Sequence, residues 1–222
     1  MVKVHVLVEG QTEETFVNRI LRPHLWPLGI NPQPQGLGTQ GLHVGIVEYP
    51  RARKQMRITL AQDPGGFCTT MVDYYRLPDS WPGRKAAEDK PFDQKATTIE
   101  QAIRSDLSDD LGAGFDRERL IPYIQMHEFE ALLFSDVSVL TERLGLSDTA
   151  KVQGIRSEFE SPEEINDSVQ TAPSKRIAVL DPGYQKVNDG FLIAQRIGLA
   201  TMRAECPHFD EWVGKLEALA SK

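Results

Sequence analysis

Glu9, Asp73 and Glu128 lie 64 and 55 residues apart. Each sits at or just beyond a run of β-forming residues: KVHVLV before Glu9, FCTTMV before Asp73 and RLIPYIQ shortly before Glu128. Carboxylates are hard, acceptor-only oxygen donors. A few of them brought to one place hold a divalent cation with open coordination positions, or carry a proton. Glu13, His127 and Glu130 lie close to this set in sequence. Glu13 would reach the same cation from the first turn of a helix, Glu130 would add a ligand, and His127 would move a proton. Each has a plainer role open to it. Glu13 complements a helix dipole, and His127–Glu130 open a helix whose core face is Phe129, Leu132 and Leu133.

The basic residues fall in two groups. Arg51, Lys54 and Arg57 share a face of a predicted helix, suited to tracking a nucleic-acid backbone or simply to facing water. Lys175 and Arg176, in TAPSKRI, stand at a predicted helix start, where backbone N–H groups favour phosphate. Tyr74 and Tyr75 follow Asp73 and either stack on a base or pack.

These residues need a frame. Alternating Val4, Val6 and Val8 predict a strand over 3–9, broken by Gly10. Thr12 has the features of an N-cap for a helix carrying Phe16, Val17, Ile20 and Leu21, which Pro23 and Pro27 stop or bend. The Pro-, Gly- and Gln-rich stretch 31–43 reads as a loop, with a strand near 43–48. A helix over 51–62 places Met56, Ile58, Leu60 and Ala61 on its apolar face, and a strand follows over 67–73. Residues 76–94 carry three of the 14 prolines and read as an inserted surface loop. A helix over about 95–107 precedes a strand over 119–125, where Pro122 implies an edge position or a strand start. Residues 127–136 turn into a helix, and the remainder is helical in short pieces. Strand–helix alternation predicts an α/β fold, a Rossmann-like, mostly parallel sheet flanked by helices. Ligands of such sheets sit beyond the carboxyl ends of the strands. Glu9, Asp73 and His127–Glu128 are all expected at that rim.

The pattern also resembles a known family. VEGQTEE at 8–14 resembles the first TOPRIM motif, a strand ending in Glu-Gly, and TTMVDYY at 69–75 the second, a strand ending in Asp-x-Asp. TTMVDYYRLP, IPYIQMHEFEALLF, APSKRI and CPHFDEW, in that order, resemble TOPRIM-like proteins related to OLD-type and RloB-type nucleases. That resemblance implies a TOPRIM-like core over 1–135, with its Pro-rich insertion near 76–94, and a helical extension over 136–222 packed on it. It implies Mg²⁺ or Mn²⁺ held by Glu9, Glu13, Asp73, Glu128 and Glu130. Glu9, Asp73, His127, Glu128 and Lys175 would serve in phosphodiester hydrolysis of DNA or RNA, and Arg51, Lys54, Arg57, Lys175 and Arg176 would bind the nucleic acid. It also implies an ATPase partner of the ABC/SMC or OLD type and a role in phage defence. One departure is clear: Tyr75 stands where the motif has its second acid. Glu128 is the candidate to replace it. The alternative is a non-catalytic TOPRIM module that binds nucleic acid or regulates the ATPase. A phospho-receiver domain fits less well, because the first strand carries a single acid before its glycine.

Composition sets limits. The net charge of −7 argues against nucleic-acid binding by overall basicity. The two cysteines, Cys68 and Cys206, lie in no metal-ligand spacing and read as reduced thiols; the five histidines form no zinc-type pair. No apolar run reaches a membrane span, and the N-terminus lacks the pattern of a secretory signal, so the expected location is the cytoplasm. Homo-oligomerisation and the choice between DNA and RNA are left open.

Overall fold

The computed structural model describes residues 1–37, 47–165 and 170–222. They form two compact units: Met1–Gln125 with Lys215–Lys222, and Met126–Gly214.

The first unit is built on a parallel sheet. Its strands are β1 (Val2–Val8), β2 (Ile30–Gly36), β3 (Phe67–Asp73), β4 (Leu120–Ile121) and β5 (Ile124–Gln125), in the order β2-β1-β3-β4 with β5 also on β3. All pairings are parallel. This is the expected α/β, Rossmann-like arrangement. Val4, Val6, Leu7, Val8 and all of β3 are buried, as strands covered on both faces must be.

β2 corrects the loop expected over 31–43 as far as residue 36; residues 38–43 of that stretch lie outside the described residues. Val2 N donates to Gly29 O and Leu37 N donates to Val8 O, so the odd-numbered residues carry the ladder to β1. Pro32 and Pro34 are even-numbered and lack only N–H groups that would have faced away from β1. The carbonyl of Pro32 accepts from Arg22 Nε and Nη2. Alternating prolines are therefore compatible with a strand at the edge of a sheet. The strand expected near 43–48 lies outside the described residues except for Val47 and Glu48, which are not in a strand.

The first helix, α1 (Gln11–Phe16), is capped at Gly10 rather than Thr12, which lies inside it and is buried. The chain widens into a π turn over Val17–Leu21 and continues as α2 (Arg22–Leu25), with Pro23 just after the widened turn. Helix α3 (Tyr49–Gln62) buries Tyr49, Ala52, Met56, Thr59 and Leu60, while Ile58 and Ala61 are exposed. The stretch 76–94 is more than a surface loop: it contains α4 (Arg84–Glu88), and Leu77, Trp81 and Ala87 are buried. Trp81 Nε1 donates to Val47 O at 2.9 Å. Helix α5 (Phe92–Leu111) precedes the last strands.

The strand expected over 119–125 is broken in two at Pro122–Tyr123. The gap is bridged by a side chain of β3: Thr70 Oγ1 donates to Tyr123 O and accepts from Tyr123 N, at 2.8 and 2.9 Å. Glu100 Oε1 of α5 accepts from Ile124 N at 2.9 Å.

Near its start the second unit has a 3₁₀ helix, Phe129–Ser135, within the stretch expected to turn into a helix. Helices α6 (Val137–Arg143), α7 (Ala150–Arg156), α8 (Pro173–Leu180), α9 (Lys186–Ile197), α10 (Leu199–Glu205) and α11 (Pro207–Glu217) follow. Glu163, 1% exposed, accepts from His208 N and Phe209 N at the start of α11, at 2.9 and 3.0 Å. Both cysteine thiols are free and buried. Among the described residues no helix is long and apolar enough to cross a membrane.

Candidate active site at the carboxyl end of the sheet

Strand order reverses between β1 and β3: the chain leaves β1 toward β2 on one side, and β3 lies on the other. A crevice beyond the carboxyl ends of two such strands is the usual ligand position of an open parallel sheet. Val8 pairs with Met71, so Glu9 leaves β1 beside the last residues of β3. Glu9 Oε2 lies 3.4 Å from the backbone nitrogen of Asp73, which donates to it. Asp73 is 6% exposed, and Glu9 is half-buried.

Gly10 turns the chain from strand to helix. Gly10 N donates to Glu13 Oε2 at 3.0 Å and Glu14 N donates to Gly10 O, which ties off the first turn of α1. Glu13, 4% exposed, thus stands at this rim and caps its own helix. A Cβ on Gly10 would lie 3.4 Å from that same carboxylate oxygen.

Gln125 is a neighbour that the sequence pattern left unnoticed. It pairs with Asp73, is fully buried, and accepts from Tyr74 N through its carbonyl. Its side-chain oxygen accepts from Tyr123 Oη at 2.7 Å. Only the register across the break at Pro122 brings it beside Asp73; no local motif marks it. Beyond Asp73, Tyr74 packs rather than projects. Arg84 lies 4.7 Å over its ring and donates to its hydroxyl.

The other expected site residues lie on α3 and in the second unit. On α3, Arg51, Lys54 and Arg57 are exposed, and Arg53 and Arg57 face Asp106 and Asp110 of α5 across a groove of about 400 Å³. Arg53 Nε reaches Asp106 at 2.7 Å and Arg57 approaches Asp110 at 4.0 Å, so this basic face is partly neutralised.

In the second unit, His127 has a positive φ of 59°, a conformation few non-glycine residues adopt. Glu128 Oε2 accepts from Ser174 N at 3.0 Å, at the start of α8. The helix start beside Lys175 and Arg176, expected to favour phosphate, thus already carries a carboxylate. Arg176 donates to Thr171 O and lies over the Phe159 ring, whereas Lys175 is exposed. Glu130 is fully buried, and Lys186 Nζ lies 2.9 Å from its Oε2. Burial is the main force pushing its pKa up to about 7, with Lys186 opposing.

Among the described residues no three His, Cys, Asp or Glu side chains are grouped closely enough to hold a metal ion by themselves. A magnesium ion is often held by one or two carboxylates, with waters and substrate phosphate completing its octahedron. The adjacent acids Glu9 and Asp73 suit that mode in donor type and in number. No curated protein matches this chain, and no solved structure does. A family model does match, over residues 8–217, from the end of β1 into α11, and the chain therefore belongs to the family described as a domain of unknown function, DUF4276.

Proposed function

We propose that this protein is a divalent-metal-dependent nuclease of the TOPRIM type, hydrolysing phosphodiester bonds of DNA or RNA. Glu9 and Asp73 hold Mg²⁺ or Mn²⁺. The observation that carries this reading is the pairing of β1 with β3, which sets the two acids side by side where strand order reverses. The cation, when bound, supplies charge relief at phosphorus and lowers the pKa of water. Asp73, nearly buried at its strand end, is the fixed negative charge of the site. Glu9, half-buried, is the acid able to take a proton from an attacking water. Gly10 turns the chain from Glu9 directly into the first turn of α1. An ATPase partner of the ABC/SMC or OLD type and a role in phage defence follow from the sequence resemblance.

A metal titration by calorimetry tests the site. Wild type should bind Mn²⁺, and Asp73→Asn should bind it at least about tenfold more weakly, a loss of about 1.4 kcal/mol. Equal affinity would remove the site as drawn. In the presence of the ATPase, Glu9→Gln should lower cleavage by about 10²-fold. The isolated chain should cleave slowly, since its net charge of −7 gives little free affinity for nucleic acid. Fast cleavage without the ATPase, unchanged on adding it, would remove the partner.

A second reading has its own support. Tyr75 replaces the second acid of the motif, and Glu9 and Glu13 both bond backbone amides. A non-catalytic module that binds nucleic acid or regulates the ATPase would show ATPase modulation unaffected by Glu9→Gln, and no cleavage.

A further inference from the structure

The chain leaves Asp73 through a turn in which Leu77 N donates to Tyr74 O at 3.1 Å. Arg76 is the third residue of that turn, with φ of 63°. A positive φ at this position is the usual place of glycine, which adopts it without steric cost. An arginine there is strained, and strain of this kind persists where the side chain is needed. The neighbouring Tyr75 adds a second unfavourable feature: its hydroxyl is buried and has no hydrogen-bond partner among the described residues.

The guanidinium itself is available. Arg76 is exposed, and its recorded interaction is with the Tyr75 ring, 5.1 Å from the centroid. Among the described residues it makes no ion pair with a carboxylate. Other arginines differ: Arg84 meets Glu88 and Tyr74, and Arg53 meets Asp106 and Asp110. A cation–π contact restrains a guanidinium without using its N–H donors, which stay free for bidentate contact with phosphate.

We infer that Arg76, held by its strained turn and by Tyr75 three residues or fewer beyond Asp73, binds a backbone phosphate of the nucleic-acid substrate. The inference rests on the nuclease reading for its ligand. It concerns the chain's own contact with phosphate and needs no metal.

The test is equilibrium binding of the full chain to a short fluorescein-labelled single strand, as DNA and as RNA, in EDTA over a salt series. Arg76→Ala should weaken binding about tenfold and lower the log–log salt slope by about 0.7, the share of one phosphate contact on a single strand. Arg76→Lys should keep the slope and recover part of the affinity. Arg76→Gly should bind as weakly as Arg76→Ala yet melt about 2 °C higher, because the turn is relaxed. Wild-type affinity and slope in Arg76→Ala would overturn the inference. So would a lower melting temperature with unaltered binding in Arg76→Gly, which would make Arg76 a structural residue, and so would absence of oligonucleotide binding by wild type. The Glu9–Asp73 reading is judged separately, by the Mn²⁺ titration, and Arg76→Ala should leave that titration unchanged.

Discussion

The carboxylate of Glu130 is fully buried beside Lys186, and its pKa rises from the ordinary 4.5 to about 7, chiefly through burial. The folded state therefore holds its proton more tightly than the unfolded chain does. The stability this provides is complete below about pH 4.5 and is lost as pH rises through about 7. A shift of this size corresponds to about 3 kcal/mol. Urea unfolding of Glu130→Gln at pH 5 and pH 8 should show a smaller difference between the two conditions than wild type does. An unchanged difference would mean that other groups set the pH dependence. Glu163 illustrates the opposite use of a buried acid. Its two oxygens accept two backbone amides at the start of α11. Glu163→Ala should destabilise by about 3 kcal/mol and Glu163→Gln by about half of that, as read from denaturant midpoints. Neither role was legible in the sequence, because each depends on a partner far along the chain: Lys186 for Glu130, and His208 and Phe209 for Glu163.

Among the elements, the split between β4 and β5 depends most on one side chain. Thr70 bonds both backbone groups of Tyr123 across the break left by Pro122. Thr70→Val keeps the shape and removes both bonds, leaving a buried N–H and C=O unpaired. A loss of about 2–3 kcal/mol is expected, with faster hydrogen exchange at the Tyr123 amide. Unaltered exchange there would show that the ladder closes without the hydroxyl. The strands β1 and β3 were legible because their alternation and β-branched content are local, and with them came the positions of Glu9 and Asp73. Strand β2 was not. Pro32 and Pro34 read locally as loop formers, and only pairing with β1 reveals that their missing donors were not needed. The 3₁₀ helix at Phe129–Ser135 was likewise hidden. Phe129, Leu132 and Leu133 satisfy an α-helical spacing just as well, and every residue from Phe129 to Phe134 is buried, so no polar face marks the winding.

For the molecule as a whole, the C-terminal segment belongs with the first unit although it follows the second in sequence. Within that unit, His24 Nε2 lies 2.5 Å from Glu217 Oε1, Lys222 Nζ lies 5.3 Å from the centre of the Phe67 ring, and Leu219 is 2% exposed. A chain ending at Gly214 should therefore melt lower, since loss of a buried leucine alone removes about 1.5–3 kcal/mol. Its β1 amides should also exchange faster. An unchanged melting temperature would make the segment dispensable. The prolines of β2 matter at this scale too. A sheet edge with free N–H groups invites another strand to bind, and aggregation often begins there. On the outer side of β2, Pro32 and Pro34 offer no N–H, and Arg22 already occupies the carbonyl of Pro32. A second chain arriving at Pro32 or Pro34 meets no donor there, nor that acceptor. The same residues that disguise β2 as a loop thus protect the folded protein from templating its own misassembly.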